Sequence, residues 1–225
     1  MIIWDKEVKE KISGLHLTLG IIKNVKVASS TDKNKEIYNR AVSMIKEKFN
    51  LENLKNDHII RAYRDFYWHY LKIDPTKVRP AGEALIRRIL SGKSIPNISN
   101  VVDAYNTASV ETRISLGAYN YDLLKFPLHV RFAKSGEKFK PIGKNVIQLT
   151  GRELVLADQE KIICLYPHRD SDDTKVDLNT RNVLIVGYGV PNIDSEIVFD
   201  AVKIACNYIL EVAGGTVEKI EKYSV

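Results

Sequence analysis

Cysteine is scarce in this chain: Cys164 and Cys206 are the only two in 225 residues, and they form no CxxC pair. That leaves no basis for a disulfide framework or a cysteine-based zinc site. Both thiols are expected as small buried groups in a reducing cytoplasm. No apolar run approaches the ~20 residues of a membrane span. The opening MIIWDKEVKE has no basic head followed by a long apolar stretch, so it does not read as a signal peptide. Repeats, low-complexity tracts and long flexible linkers are also missing.

Nucleophile signatures are lacking too. There is no GxSxG, neither cysteine has a neighbouring histidine, and the five histidines are scattered. The acidic loop HRDSDDTKVD (His168 to Asp177) lacks the spacing, central glycine and terminal glutamate of a calcium loop. It reads as a turn whose Arg169, Asp170, Ser171, Thr174 and Thr180 offer hydrogen bonds at a pocket mouth. In NVLIVGYGVPNIDSE the pair Gly187-x-Gly189 lacks the third glycine of a dinucleotide loop, because Asn192 stands there and Pro191 stiffens the turn. The two glycines read as easing a strand end. Neither a cofactor nor a metal is expected.

What is present is an ordinary globular balance, 44% hydrophobic and 28% charged, with a surplus of base. The 34 Lys and Arg against 28 Asp and Glu give a net charge of +6. A basic surplus favours polyanionic partners through steering and counterion release. Much of the lysine is nonetheless scattered over solvated helix faces, which serves solubility.

Periodicity predicts a short helix after Asp5, a strand over Leu15 to Ala28, and helices from about Lys35 to Phe49 and from Asp57 to Leu71. A helix from Pro80 closed by Gly92 and another from Ile98 to about Val110 follow. From Leu128 the texture turns to strands: LHVRFA, GRELVLAD, KIICLYP and NVLIVGYG. A helix over Asp194 to Ala213 and a strand near Gly215 to Tyr223 complete the chain. The economical reading is one α+β domain over 1–225, with a strand and helices (1–59), a pocket-bearing core (60–190) and a C-terminal helix and strand (191–225). On the second long helix Arg61, Arg64 and Trp68 share a face and other aromatics spread around it, a pattern commoner in cores than in base-stacking platforms.

The block from Asp74 to Asp122 is the most informative. Arg79, Arg87, Arg88 and Lys93 fall within 15 positions, followed by Asp103, Tyr105 and Asn106 in an apolar run. The segments RPAGEALIRR, VVDAYNTAS, LGAYNYD, LADQEKIIC and TRNVLIVGYG follow the order of the editing (B-three/four) domain of the phenylalanyl-tRNA synthetase beta chain. The chain resembles that domain over roughly Ile60 to Val190. The resemblance implies an α+β fold with two intimately joined sub-lobes around a pocket. In the synthetase that pocket hydrolyses tyrosine wrongly attached to the tRNA for phenylalanine.

Carried over by position, Asn106 matches a pocket amide and is expected to place water or the ester. Tyr105 stands for the threonine before that amide, Gly117 for the editing histidine, and Val186 for the glutamate that recognises the tyrosine hydroxyl. Valine has no acceptor for a buried hydroxyl, so selectivity for tyrosine is not expected. Asp103 and Thr180 complete the expected substrate-binding set, and Arg79, Arg87, Arg88 and Lys93 are expected to hold RNA phosphates or the terminal adenosine. The reading is a tRNA-binding, editing-like cytoplasmic protein, a hydrolase acting in trans on mischarged aminoacyl-tRNA and not a full synthetase. A non-catalytic RNA-binding module and a small-molecule-binding protein reusing the pocket are the alternatives. The expected partner is tRNA or aminoacyl-tRNA, with no membrane.

Overall fold

Gly20 and Gly187 set the distance between the main sheet and its covering helix. The computed structural model describes residues 1–225. The chain opens with β1 (Ile2–Trp4), α1 (Lys6–Lys11), β2 (His16–Lys23) and α2 (Asp32–Lys48). Next come α3 (His58–Phe66), a π-helical turn (Tyr67–Leu71), α4 (Ala81–Leu90), α5 (Asn100–Thr112) and β3 (Leu116–Asn120). The second half holds β4 (Leu128–Phe132), β5 (Lys138–Phe139), β6 (Ile147–Gln148), β7 (Leu154–Ala157), β8 (Ile162–Leu165) and β9 (Arg169–Asp170). It ends with β10 (Val183–Gly189), α6 (Ser195–Ala213) and β11 (Thr216–Ser224). The fold is α+β.

The main sheet runs β11-β2-β10-β3 and is antiparallel throughout. On one face lies α6. A Cβ at Gly20 would come within 2.8 Å of Cys206 Sγ and Val202, and one at Gly187 within 2.6 Å of Val202. Close helix–sheet approach therefore requires glycine at both positions. Gly189 faces the His16 ring at a distance that leaves no room for a Cβ. Gly187 thus lies inside β10 and serves helix packing, while Gly189 is the strand's last residue and makes room for the His16 ring.

The second sheet runs β1-β4-β7-β8-β9, with β1 parallel to β4 and the other pairs antiparallel. Its aromatic contact with the main sheet is Tyr166, edge-on to Tyr188 at 4.9 Å between centroids. The Tyr166 hydroxyl donates to the carbonyl oxygens of Gly189 and His16. β5 and β6 form a separate ribbon.

Local signals explain the helix starts. Thr31 and Asn34 form a reciprocal capping box, which moves the start of α2 ahead of Lys35 to Asp32. Asp57 caps α3 through the amides of Ile59 and Ile60, and Ser99 caps α5 through Val102. The third helix ends in the π turn, after which Lys72 adopts a left-handed conformation at φ 56°. β2 stops at Lys23, short of Ala28, because the amides beyond it take other partners. Val25 N donates to Arg181, Lys26 N to Ala213, and Ala28 N to the Asn100 side chain.

Asn100 is a junction. Its carboxamide oxygen accepts from Ala28 N, and its NH2 donates to the carbonyls of Lys26 and Val212, each 2.9–3.0 Å away. One buried amide thereby joins the segment after β2, the start of α5 and the end of α6.

Candidate functional site

Helical period places the basic residues of α4. Gly82, Glu83, Ile86 and Ile89 are buried, the two isoleucines in a cluster with Ile45, Leu54, Ile60 and Val110. The opposite stripe, Ala81, Ala84, Arg87, Arg88 and Ser91, is the wall of an open cleft of about 520 Å³. The small Ala81 and Ala84 give the cleft its depth between the arginines. The segment Lys77–Arg79, Lys93, His168 and Arg169 line the remainder. Arg79, Arg87, Arg88 and Lys93 therefore share one cleft. Six lysines and arginines line it and no carboxylate does.

One of these cations is engaged from behind. Glu83, with no exposed side-chain surface, accepts from Arg87 Nε at 2.7 Å and from Arg64 at 3.0 Å. This buried carboxylate locks α4 to α3 and fixes the direction of Arg87. Arg88 donates to the carbonyl of Ser94, which ties the helix to the loop carrying Lys93. The cleft wall is built before any ligand arrives.

His168 stands at the inner end. Its ring packs against Tyr67 at 5.8 Å between centroids, and its Nδ1 is buried without a hydrogen-bond partner. Burial, with the neighbouring Arg169 charge, lowers its pKa to about 4, so the imidazole is neutral at pH 7. The same side chain also lines a second recess of about 130 Å³ with Leu71, Ile73, Arg152, Glu153, Leu154 and Tyr166.

The remaining expected residues lie elsewhere. Val186 is directly opposite Gly117 in the β10–β3 ladder, on the face that carries Tyr119 and Tyr188. The space beside Gly117 is filled: a Cβ there would be 2.6 Å from the Tyr119 hydroxyl oxygen. That hydroxyl donates to Asp170 and meets the Tyr188 hydroxyl. Burial raises the Asp170 carboxyl to about 6, Tyr119 opposing the shift, and holds the adjacent Cys164 thiol well above its ordinary value. Tyr105 packs on the main core, and burial raises its phenol, with the Asp170 and Asp103 carboxylates adding to the effect.

Asn106 is half-buried on α5 and lines none of the five main clefts. Asp103 accepts from Ile98 N and from Ser30, closing the start of α5, and borders a different, 230 Å³ cleft. Thr180 is buried and exchanges hydrogen bonds with Asp177 across a turn. The structure thus gathers the four basic residues in one cleft, and Gly117 with Val186 in one packed strand pair. Asn106, Asp103 and Thr180 join neither group. Lys77 and His168 belong to the cleft without having been assigned to it from sequence, and Arg169, expected at a pocket mouth, lines it as well. Lys77 sits two positions before Arg79, a proximity signal, whereas nothing local marks His168.

Comparison with known proteins follows the same segments. The family model described as "B3/4 domain" matches residues 62–214. The phenylalanine–tRNA ligase beta subunit of Fusobacterium nucleatum is 28% identical across a match covering 67% of this chain and 22% of that subunit. The corresponding subunit of Carboxydothermus hydrogenoformans is 34% identical across 50% of this chain and 14% of its own length. The match therefore spans about a fifth or less of these relatives. Among solved structures, an N-terminal fragment of the phenylalanyl-tRNA synthetase beta subunit from Pyrococcus horikoshii aligns with 100% of this chain and 54% of the fragment. Its TM-score is 0.49 at 14% identity.

Proposed function

Because the chain belongs to the B3/4 domain family, we propose that it binds tRNA through the α4 cleft and acts in trans on the aminoacyl ester at the tRNA's 3′ end. The observation that carries this reading is the cleft itself: six lysines and arginines and no carboxylate around about 520 Å³. Such a lining attracts phosphates and, with Arg87 held in place by Glu83, presents them with prearranged donors. Relatives of the family are beta subunits of phenylalanine–tRNA ligases, which supports tRNA over other polyanions.

Tyrosine-selective hydrolysis by the synthetase's own pattern is not part of the proposal. Val186 offers no acceptor for a substrate hydroxyl, and Tyr119 occupies the room beside Gly117. That same filling favours a second reading, an RNA-binding module without catalysis.

Two measurements test the proposal. Anisotropy with labelled tRNA at several salt concentrations is expected to give binding that weakens linearly in log–log form. The fourfold variant Lys77→Ala, Arg79→Ala, Arg88→Ala, Lys93→Ala should lose most of it. Release of amino acid from a panel of charged tRNAs then separates the two readings. Binding with release supports the hydrolase, and binding without release supports the module. Equal, negligible retention of tRNA by wild type and variant at low salt overturns both.

A further inference from the structure

We propose that His168 is the proton-transferring residue of a hydrolytic centre at the junction of the basic cleft and the neighbouring recess, and that the recess takes the apolar side chain of the aminoacyl ester. The inference rests on the tRNA reading above and specifies where its chemistry occurs. His168 belongs to the lining of both the 520 Å³ cleft and the 130 Å³ recess. A molecule with phosphates on one side and an amino-acid side chain on the other would therefore carry its ester past this imidazole. No other residue lines both cavities.

The recess is suited to apolar groups. Leu71, Ile73, Leu154 and the Tyr166 ring form its walls, and its volume equals that of about four water molecules at ~30 Å³ each. Two of its polar side chains are already hydrogen-bonded. The Tyr166 hydroxyl is bound to the carbonyls of Gly189 and His16. The Glu153 carboxylate accepts from the amides of Thr150, Gly151 and Arg152 and from the Thr150 hydroxyl. A side-chain hydroxyl entering here would find the Tyr166 and Glu153 oxygens already bonded, so apolar side chains are preferred.

His168 has the attributes of a base. Nδ1 is buried against the Tyr166 backbone, which leaves Nε2, unburied and without a hydrogen-bond partner, as the nitrogen that can meet water. The Tyr67 ring packs beside the imidazole, at 5.8 Å between centroids. The charged groups facing it are Arg169 beside it, Lys77, Arg79, Arg87, Arg88 and Lys93 across the cleft, and Arg152 and Glu153 in the recess. The cationic majority opposes protonation in the empty cleft. Phosphates bound there would offset it and raise the imidazole's proton affinity toward the working range.

The reaction is ester hydrolysis. Neutral His168 takes a proton from water as the water oxygen bonds to the ester carbonyl carbon. The arginines favour the negative charge that builds on the carbonyl oxygen. The bond from that carbon to the ribose oxygen then breaks, and the imidazolium returns its proton to the ribose oxygen. The products are the free amino acid and tRNA with its terminal hydroxyl restored.

The test is single-turnover release of leucine or phenylalanine from charged tRNA by the full chain and its His168→Gln variant, with tRNA binding measured in parallel. Expected is a loss of at least ~100-fold in release with the dissociation constant changed by less than about threefold. The wild-type rate should fall on the acid side while the residual rate of the variant does not. Ile73→Trp, which fills the recess from its half-buried rim, should likewise abolish release and spare binding. Should His168→Gln fail to fold, the imidazole is followed in wild type by NMR: its pKa is expected to rise on adding an uncharged tRNA acceptor helix. Undiminished release by a folded His168→Gln overturns the proposal, as does an imidazole whose titration the acceptor helix leaves unmoved. tRNA binding by wild type without release from any charged tRNA overturns it too, leaving the RNA-binding reading intact. Failure of wild type to bind tRNA overturns that reading instead.

Discussion

Replacing Gly117 by alanine measures how firmly Tyr119 fills the space beside it. The new methyl carbon would lie 2.6 Å from the Tyr119 oxygen and 3.1 and 3.2 Å from two ring carbons. A tyrosine tip swings away cheaply when it is free, but this one is fully buried and its hydroxyl is shared between Asp170 and Tyr188. Moving the ring means overpacking, about 1–3 kcal/mol, and a weakened hydrogen bond, about 1 kcal/mol. Against this stands a gain of about 0.4–1 kcal/mol from a less flexible unfolded chain. The net expectation is destabilisation by about 1–3.5 kcal/mol, read from urea midpoints at unchanged slope. Tyr119→Ala opens the space. In that background Gly117→Ala should be neutral or stabilising, a coupling of at least about 1 kcal/mol in the double-mutant cycle. Additive effects, or a Gly117→Ala protein within about 0.5 kcal/mol of wild type, would refute the claim that Tyr119 occupies this volume.

Asp170 predicts a pH dependence of stability. Its folded carboxyl is raised to about 6, so the folded state binds more protons than the unfolded one, and stability falls as pH rises from about 4 through about 6. The loss is bounded by about 3 kcal/mol, and Asp170→Asn should flatten that segment in urea midpoints taken across the range. Glu83→Ala leaves Arg64 and Arg87 facing each other and should destabilise by about 3–5 kcal/mol, checked by thermal or urea unfolding. In tRNA binding, Arg79→Ala and Lys93→Ala should each reduce the log–log salt slope by about 0.7 if they meet single-stranded phosphates. Asn100→Ala removes partners from two amides, of Ala28 and Val101, and two carbonyls and should destabilise by about 2–4 kcal/mol in the same unfolding assay.

Much of the fold was legible because its signals are local. The amphipathic stripe of α4, the caps at Asp57 and Ser99, and the apolar runs of β4, β7, β8 and β10 carry their own structure. β1 and β9, at three and two residues, are too short for a pattern, and β9 lies within the acidic loop that reads as a turn. β3 has its small and aromatic residues fixed by pairing with β10, a partner far along the chain. The site divides the same way. Arg87 and Arg88 are neighbours of Arg79 in sequence and helix phase brings them together, whereas His168 reaches the cleft from a distant part of the chain, through the tertiary fold. Asp103 and Thr180 look like binding groups in a linear reading, yet each closes a local turn or cap. Hydrogen bonds of that kind are invisible until the backbone path is known.

The Asn100 amide bears on the order in which the protein is made. Two of its partners, Lys26 and Ala28, leave the ribosome well before it, but the third, Val212, leaves long after. The helix bearing Tyr105 and Asn106 thus waits, incompletely tethered, through the synthesis of β3 to β10. Its final seating waits for α6, whose Val212 carbonyl accepts the last of these hydrogen bonds.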